Sequence, residues 1–269
     1  MPVMTCSDMV EQCLAGQDAA WKHFVSQYLP FAAAVLDRHF PQLGPRREDL
    51  LRKTLLETRA EDARFFRDYR GQSEREFLLH LREHVQRVAR GAAPPPPAPE
   101  IPLDWEIFES SLKDLTALER EAVWLFVLSP GAGDSDKILR LDPRTIAATM
   151  TKTQETLRPH CDRWNSEMLS ENRHLLAQTA RAQQPKECPD PKEFLRLLDG
   201  QITWRGRVEA EHHLTLCWRC VDLMCRFREV AALARLASPL SVSAAEPYWK
   251  ALGLHTTPPP LWKRLLRAN

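Results

Sequence analysis

A run of prolines divides this chain and limits what it can fold into. Residues 91–102 read Gly-Ala-Ala-Pro-Pro-Pro-Pro-Ala-Pro-Glu-Ile-Pro. Proline lacks a backbone N–H and its ring clashes with the preceding turn, so a helix cannot continue through such a run, which forms a semi-rigid extended spacer instead. A chain of 269 residues has room for about two domains. We therefore expect separately folded parts on either side of the prolines.

The apolar residues on both sides of this spacer follow a helical period. Trp21, Phe24, Val25 and Tyr28 fall on one face of a helix that would begin near Asp18. Runs of alternating β-branched residues, the pattern of strands, are nearly absent. The sequence therefore predicts an all-α fold.

Several pairs of residues indicate where helices start. Ser73 with Glu76, and Thr116 with Glu119, have the spacing of a capping box, in which each side chain bonds the other residue's backbone N–H. A further helix would open at Glu48-Asp49. We expect its inward face to carry these apolar and small residues: Leu50, Leu51, Thr54, Leu55 and Leu56.

Two long helices are predicted in the second half of the chain. Asp142 as the N-cap and Pro143 at the first helical position predict a helix running to about Glu171. Another is expected from about Arg207 to Leu236. A loop at 129–133 and a short segment at 136–141 precede the first, and a short helix that ends at Gly200 precedes the second.

Composition and charge limit the partners and the cellular compartment that we expect for the protein. The formal net charge is +1, so no strong overall field selects nucleic acid or membrane. Apolar runs fall far short of the ~20 residues that span a bilayer, and the N-terminus lacks a signal-peptide pattern. We expect a cytoplasmic protein without a transmembrane segment. Its seven cysteines are then not expected to form a disulfide framework.

Four potential metal ligands occur close together in the sequence. His213 is followed after three residues by Cys217 and after two more by Cys220, and Cys188 lies at the end of a linker upstream. Residues four apart share a helical face, and a Cys-x-x-Cys turn brings two thiolates to one ion. Three sulfurs and one imidazole match a closed, tetrahedral, structural Zn²⁺ site. We expect one zinc ion per chain.

Other readings of these residues stay open. Cys217 and Cys220 would also serve as small core residues or as a redox pair. His212 is adjacent to His213, but its offset of five from Cys217 points it elsewhere, so we expect it at the surface.

The segment around these ligands resembles the zinc-containing anti-sigma domain. The resemblance rests on Cys188-Pro-Asp, Leu198-Asp-Gly and Glu211-His-His-Leu-Thr-Leu-Cys-Trp-Arg-Cys220. In that family a helical domain pinned by zinc clamps a sigma factor. Because the zinc segment is tethered to the rest of the chain, even a weak clamp would be mostly closed. We therefore expect residues 188–236 to fold back on the rest of the chain and to hold it in a compact state of low activity.

The two helical blocks upstream resemble an extracytoplasmic-function sigma factor. The first block, Cys13 to Val25 with Arg47 to Leu56, is similar to the region that grips core RNA polymerase. The resemblance implies that Asp49, Leu50 and Arg52 contact the polymerase.

The second block is similar to the helix-turn-helix region that reads the upstream promoter box. It comprises Leu112 to Leu125 and the helix from Arg144 to Arg158. The resemblance implies that promoter DNA meets an exposed helical face. We expect that face to carry the following residues: Arg144, Thr145, Thr149 and Lys152.

These observations predict six segments. They are a sigma region 2-like domain (1–90), a Pro-rich linker (91–102), a sigma region 4-like domain (103–180), a linker (181–187), a zinc-binding anti-sigma-like domain (188–237) and a Pro-containing basic tail (238–269).

Two functions fit this organisation, and neither is enzymatic. In the first, the chain is a sigma factor that initiates transcription with core RNA polymerase and is regulated in cis by its zinc domain. In the second, it is a degenerate sigma-like regulator that binds proteins and has lost promoter recognition, because acidic residues outnumber basic ones in 101–180. Arg64, Arg67 and Arg70 either touch DNA or form a solvated face, and the basic end Leu261–Arg267 either docks on a partner or membrane or stays solvated.

Overall fold

The computed structural model describes residues 4–92, 99, 102–128, 134–158, 166–183 and 187–254. These residues form thirteen α-helices and a short 3₁₀ turn with no strand among them, so the predicted all-α fold is confirmed. Several predicted features lie outside the described residues: most of the Pro-rich run, the loop at 129–133 and the basic end Leu261–Arg267. None of the helices in the described ranges combines the length and apolarity needed to cross a bilayer.

The chain forms two compact units, residues 1–94 with 233–269 and residues 95–232. The helices of the first unit are α1 (Cys6–Leu14), α2 (Asp18–His39), α3 (Arg46–Asp68), α4 (Glu74–Ala92) and α13 (Val242–Ala251), with the 3₁₀ turn at Pro41–Leu43. Those of the second are α5 (Trp105–Ser111), α6 (Ala117–Leu128), α7 (Ser135–Leu139), α8 (Pro143–Leu157), α9 (Ser166–Ala182), α10 (Pro191–Leu198), α11 (Trp204–Leu214) and α12 (Trp218–Leu236), whose last residues belong to the first unit.

The first unit is built around aromatic side chains of α2, α3 and α4. The predicted stripe of α2 is confirmed, because its four large residues are all buried. Trp21 and Phe24 each pack edge-to-face on Phe66, with ring centroids 5.2 Å apart. Tyr28 packs in the same way on Phe77 of α4, at 5.1 Å. Aromatic pairs of this geometry stabilise a core beyond the area that they bury.

The predicted inward face of α3 is wrong at one position. Leu50, Leu51, Thr54 and Leu55 are buried, but Leu56 is 47 % exposed. Leu50, Leu51, Thr54 and Leu55 already fill the side of the helix that faces the core, and residue 56 comes round to the opposite side.

Helix α3 is interrupted between Ala60 and Ala63. Glu61, Asp62 and Ala63 have left-handed φ angles of 49°, 59° and 56°. This conformation costs a residue other than glycine about 1–2 kcal/mol. Arg64 pairs with Glu61 at 3.0 Å and Arg67 with Asp62 at 3.0 Å, so ion pairs brace the kink.

Helix α4 begins at the predicted capping box and carries a buried histidine. Ser73 N donates to Glu76 Oε2 at 3.0 Å and Glu76 N donates to Ser73 Oγ at 3.2 Å, which confirms the box. His84 lies 3.2 Å from the carbonyl of Thr54 through Nε2 and 2.8 Å from the guanidinium of Arg87 through Nδ1. Arg87 can only donate, so the imidazole is neutral with its proton on Nε2.

This histidine should make the first unit less stable in acid. Burial lowers the pKa of His84 to about 4, helped by the charge of Arg87 and opposed by the bond to Thr54 and by Glu57. Between about pH 6.5 and 4 the unfolded chain therefore binds a proton that the folded chain does not. We expect the free energy of unfolding to fall by up to about 3 kcal/mol across that window.

Hydrogen exchange of α4 at pH 7.5 and pH 5 measures this loss. His84→Gln should flatten the dependence on pH, whereas His212→Gln, at an exposed position, should leave it in place. A wild-type protein whose α4 amides are equally protected at both pH values would contradict the expectation.

Helix α13, which the sequence analysis placed in a tail, packs on α2 and α3 of the first unit. Ser241 caps it by accepting from Ala244 N at 3.3 Å. Leu240 N donates to the carbonyl of Ser26 at 2.8 Å, and Lys22 Nζ lies 5.9 Å above the Trp249 ring. Segment 242–251 is therefore part of the folded unit.

The second unit confirms two predicted helix starts and corrects two helix lengths. Thr116 and Glu119 form their capping box, and Asp142 Oδ1 accepts from Arg144 N at 2.7 Å ahead of Pro143. The helix predicted to reach Glu171 ends at Leu157 instead, and α9 begins at Ser166. The helix predicted from Arg207 to Leu236 is two helices, α11 and α12, separated by residues 215–217.

Candidate metal centre

The break between α11 and α12 places three of the predicted ligands. His213 lies in the last turn of α11, and the carbonyl of His213 accepts hydrogen bonds from Leu216 N at 2.9 Å and Cys217 N at 3.0 Å. This tight turn ends one helix and lets Cys217 precede the first turn of the next. In a continuous helix the seven residues from His213 to Cys220 would place the two side chains nearly two turns apart along the axis. The turn interrupts the helix, so that the two side chains meet.

Helix α10 positions the fourth ligand. Asp190 caps this helix by accepting from Lys192 N at 2.8 Å, and Pro191 occupies its first position. Cys188 lies just before this cap, and α10 packs on α11. Cys188 is exposed, whereas Cys217 and Cys220 are buried.

The four ligand atoms converge with the spacing of a tetrahedral site. All of them lie within 4.8 Å of one another. Cys188 Sγ lies 3.4 Å from Cys220 Sγ and 3.9 Å from Cys217 Sγ, and His213 Nε2 lies 3.2 Å from Cys220 Sγ. Metal–sulfur bonds of about 2.3 Å at tetrahedral angles would separate two sulfurs by about 3.8 Å and a sulfur from a nitrogen by about 3.5 Å. The cluster could therefore hold a metal ion.

The short distances between the three thiols also favour the binding of a cation. Hydrogen bonding with Cys220 lowers the pKa of Cys217 to about 5, and His213 adds to the effect. The same bond, together with burial, raises the pKa of Cys220, and burial raises that of Cys188. Protons are thus shared unequally among three sulfurs, and a divalent cation would displace all of them.

The structure separates His213 from its neighbour as the sequence analysis expected. His212 is exposed and its ring is not among the clustered ligand atoms. The turn is tied to the end of α9, because Arg219 donates to the carbonyl of Gln183 at 3.4 Å.

The residues predicted to dock on polymerase are not all at the surface. Asp49 and Arg52 are exposed, but Leu50 is only 7 % exposed and belongs to the core of the first unit. Leu56 lies on the same face as Asp49 and Arg52, because offsets of three and seven residues return to one side of a helix. An apolar residue at that spacing was the signal that the sequence analysis missed.

Helix α13 contacts this same face of α3 through Glu48. Arg52 Nε donates to Glu48 Oε1 at 3.2 Å, and the hydroxyl of Tyr248 donates to Glu48 Oε2 at 3.0 Å. One carboxylate therefore joins a predicted docking residue to the C-terminal helix. The sequence analysis did not anticipate this contact, because it depends on residues that are 200 positions apart.

The predicted DNA-binding residues on α8 differ in their exposure. Arg144 and Thr145 are exposed. Thr149 was expected on the exposed face but is buried, with its hydroxyl donating to the carbonyl of Thr145 at 2.9 Å. Lys152 is exposed, but its Nζ donates to Glu119 Oε1 at 2.8 Å. Both predicted cations of this helix are therefore exposed, but Lys152 is paired within the unit and Thr149 is not on the exposed face.

The arginines after the kink in α3 are paired with acidic groups or carbonyls. Arg64 bonds Glu61 at 3.0 Å and Asp68 at 3.2 Å, and Arg70 donates to the carbonyl of Tyr69 at 3.1 Å. All three arginines, including Arg67, are exposed. In this structure their guanidinium groups thus bind neighbouring residues of the same segment.

Comparison of the chain with family models, with curated proteins and with solved structures found no match in any of the three.

Proposed function

We propose that this chain is a cytoplasmic sigma-type transcription initiation factor that carries one structural Zn²⁺ and is regulated in cis by its C-terminal third. The observation that carries the proposal is the contact between α13 and Glu48, at the edge of the exposed face formed by Asp49, Arg52 and Leu56. Because α13 packs beside this face of α3, it would compete with a polymerase that docks there.

Zinc is the metal that the ligand chemistry favours. Thiolates are soft ligands that select zinc, copper(I) or iron–sulfur clusters, and an imidazole beside three thiolates in a tetrahedral arrangement is typical of structural zinc. Cys188, His213, Cys217 and Cys220 use all four positions, so the ion would fix the turn between α11 and α12 and leave no position for a substrate.

The arrangement of α7 and α8 supports DNA binding. Arg140, in a left-handed conformation, and two further residues connect these helices, which is the length of a helix-turn-helix connection. Asp142 fixes the N-terminus of α8, where recognition helices commonly meet bases, and Arg144 and Thr145 are exposed there.

A second function, a sigma-like regulator that binds polymerase without reading promoters, is favoured by a specific observation. Lys152 pairs with Glu119 and Thr149 is buried, so α8 offers phosphates little positive charge. Affinity for DNA depends largely on such charges.

Charge reversal on α3 tests the docking surface. We expect Asp49→Arg with Arg52→Glu to weaken binding to core RNA polymerase by at least about tenfold, since rim charges steer association. Stability should change little, because exposed charges contribute little to it. The control reverses Arg205 and Glu209, an exposed ion pair four residues apart on α11.

The same binding assay tests regulation by α13. Tyr248→Phe removes the hydrogen bond to Glu48 and should strengthen polymerase binding. Wild-type binding by the α3 variant would reject the docking surface, and unchanged binding by Tyr248→Phe would reject regulation through this contact.

A further inference from the structure

The second unit contains buried charged groups that join α12 to α6 and α9 without using the metal ligands. Asp222 of α12 is fully buried. It accepts from Trp124 Nε1 of α6 at 3.1 Å and pairs with Arg181 of α9 at 3.0 Å and with Arg226 at 2.9 Å. A buried carboxylate with two guanidinium partners and an indole donor has its hydrogen-bonding capacity met by the protein itself.

A second buried carboxylate lies further along the same interface. Glu121 of α6 is buried and pairs with Arg228 of α12. The thiol of Cys225 lies 3.5 Å from the carbonyl of Glu121 and is fully buried. These contacts are one to two helical turns beyond Cys220, so they leave the metal site out.

Aromatic packing completes the contact between α12 and α6. Trp218 lies 5.2 Å from Phe108 and 5.5 Å from Trp124 between ring centroids. The guanidinium of Arg120 stacks on Trp218 at 4.8 Å. The α6 residues at this contact, Arg120, Glu121 and Trp124, are all buried, so without α12 the helix would expose two charged side chains and a large ring.

We propose that α12 is a permanent core helix of the second unit rather than a detachable inhibitor, and that the metal orders only α10 and the turn between α11 and α12. Metal loss then loosens the ligand segment and leaves α12 bound to α6 and α9. The structural part of this inference is independent of the proposed function. Its regulatory consequence rests on that function: polymerase binding would be controlled by α13 and not by release of α12.

The location of the ligands explains why the metal site is separable from the contact of α12 with α6 and α9. Cys188 precedes α10, His213 ends α11, and Cys217 and Cys220 lie at the start of α12. An ion there holds three chain segments together at one end of α12. Asp222 and Arg228 bind α6 and α9 through side chains that do not reach the ion.

Hydrogen exchange on the full-length protein tests the proposal, with and without a zinc chelator. Removal of metal should accelerate exchange in α10 and in residues 213–217 by at least about tenfold, while α6 and residues 221–230 of α12 stay within about threefold of the zinc-loaded protein. Equal acceleration of α6, α10 and α12 would overturn it.

A variant on the other side of the interface gives the reverse pattern. Glu121→Ala should accelerate exchange in α6 and α12 while zinc content and the protection of α10 are retained. The control is Glu193→Ala on α10, where a partly exposed carboxylate pairs with Arg196. Loss of zinc from Glu121→Ala together with loss of protection in α10 would overturn the separation, and if this variant does not fold, the chelation result decides alone. Neither measurement involves polymerase, so a failure of the proposed function would not be mistaken for a failure here.

Discussion

Replacement of Cys217 and Cys220 by serine is expected to lower bound zinc from about one equivalent per chain to less than about one tenth. The two sulfurs supply half of the ligand set and lie in the buried part of the site. Serine hydroxyls at neutral pH do not replace thiolates, so Cys188 and His213 alone would remain. Metal analysis of the purified protein after dialysis against a weak chelator measures the loss.

The adjacent histidines provide a matched control for this result. His213→Ala should also lose most of the metal, because it removes the only nitrogen in the cluster. His212→Ala should retain it, because that side chain is exposed and outside the cluster. Zinc binding should weaken in acid, since protons compete for the thiolates. Full retention of zinc by the double cysteine variant would exclude these residues as the site.

Replacement of Trp218 by alanine should have the largest effect on stability. The side chain is 0 % exposed and contacts Phe108, Trp124 and Arg120. Deletion of a buried tryptophan leaves a large cavity and typically costs about 3–5 kcal/mol. The substitution would also remove the ring on which the guanidinium of Arg120 stacks.

Trp204 provides the comparison, because it is 77 % exposed on α11 of the same segment. Trp204→Ala should change the free energy of unfolding by less than about 0.5 kcal/mol. Urea unfolding of both variants, followed by circular dichroism with zinc present, measures the difference. Similar small effects from the two substitutions would show that α12 does not contribute to the core as described.

Features encoded over a few residues could be predicted from the sequence. The capping boxes at Ser73 and Thr116 and the Asp142–Pro143 start form where expected, because they depend on side chains that bond backbone groups two or three residues away. His213 and not His212 joins the cluster, as expected, but a tight turn after α11 and not one continuous helical face brings it to Cys217.

Features that depend on helix phase or on distant contacts could not be predicted. Leu56 was expected to face the core but is exposed, because a run of apolar residues fits more than one rotation of the helix and only the partner helices decide which side is buried. The break at residues 215–217 was missed because His213 and Cys217 also fit a continuous helix. The pairing of Glu121 with Arg228 links residues 107 positions apart, which no local pattern encodes.

Helix α13 was missed although its sequence carried a usable signal. Ser241 is an N-cap residue, and Ala245 and Trp249 lie four apart on the side that becomes buried. The prolines after the segment, Pro258 to Pro260, favoured the interpretation as a tail. Because this helix contacts Glu48, the omission hid the relation between the C-terminus and the predicted docking face.

Promoter-dependent initiation with purified core RNA polymerase tests the central claim most directly. Run-off transcription would be measured on a library of genomic fragments, with the zinc-loaded chain as the only added factor. The account predicts discrete start sites that disappear with the Asp49→Arg, Arg52→Glu variant and persist with the Arg205, Glu209 control. Polymerase that binds the folded, zinc-loaded chain yet starts at no promoter would contradict the claim and support a regulator without promoter recognition.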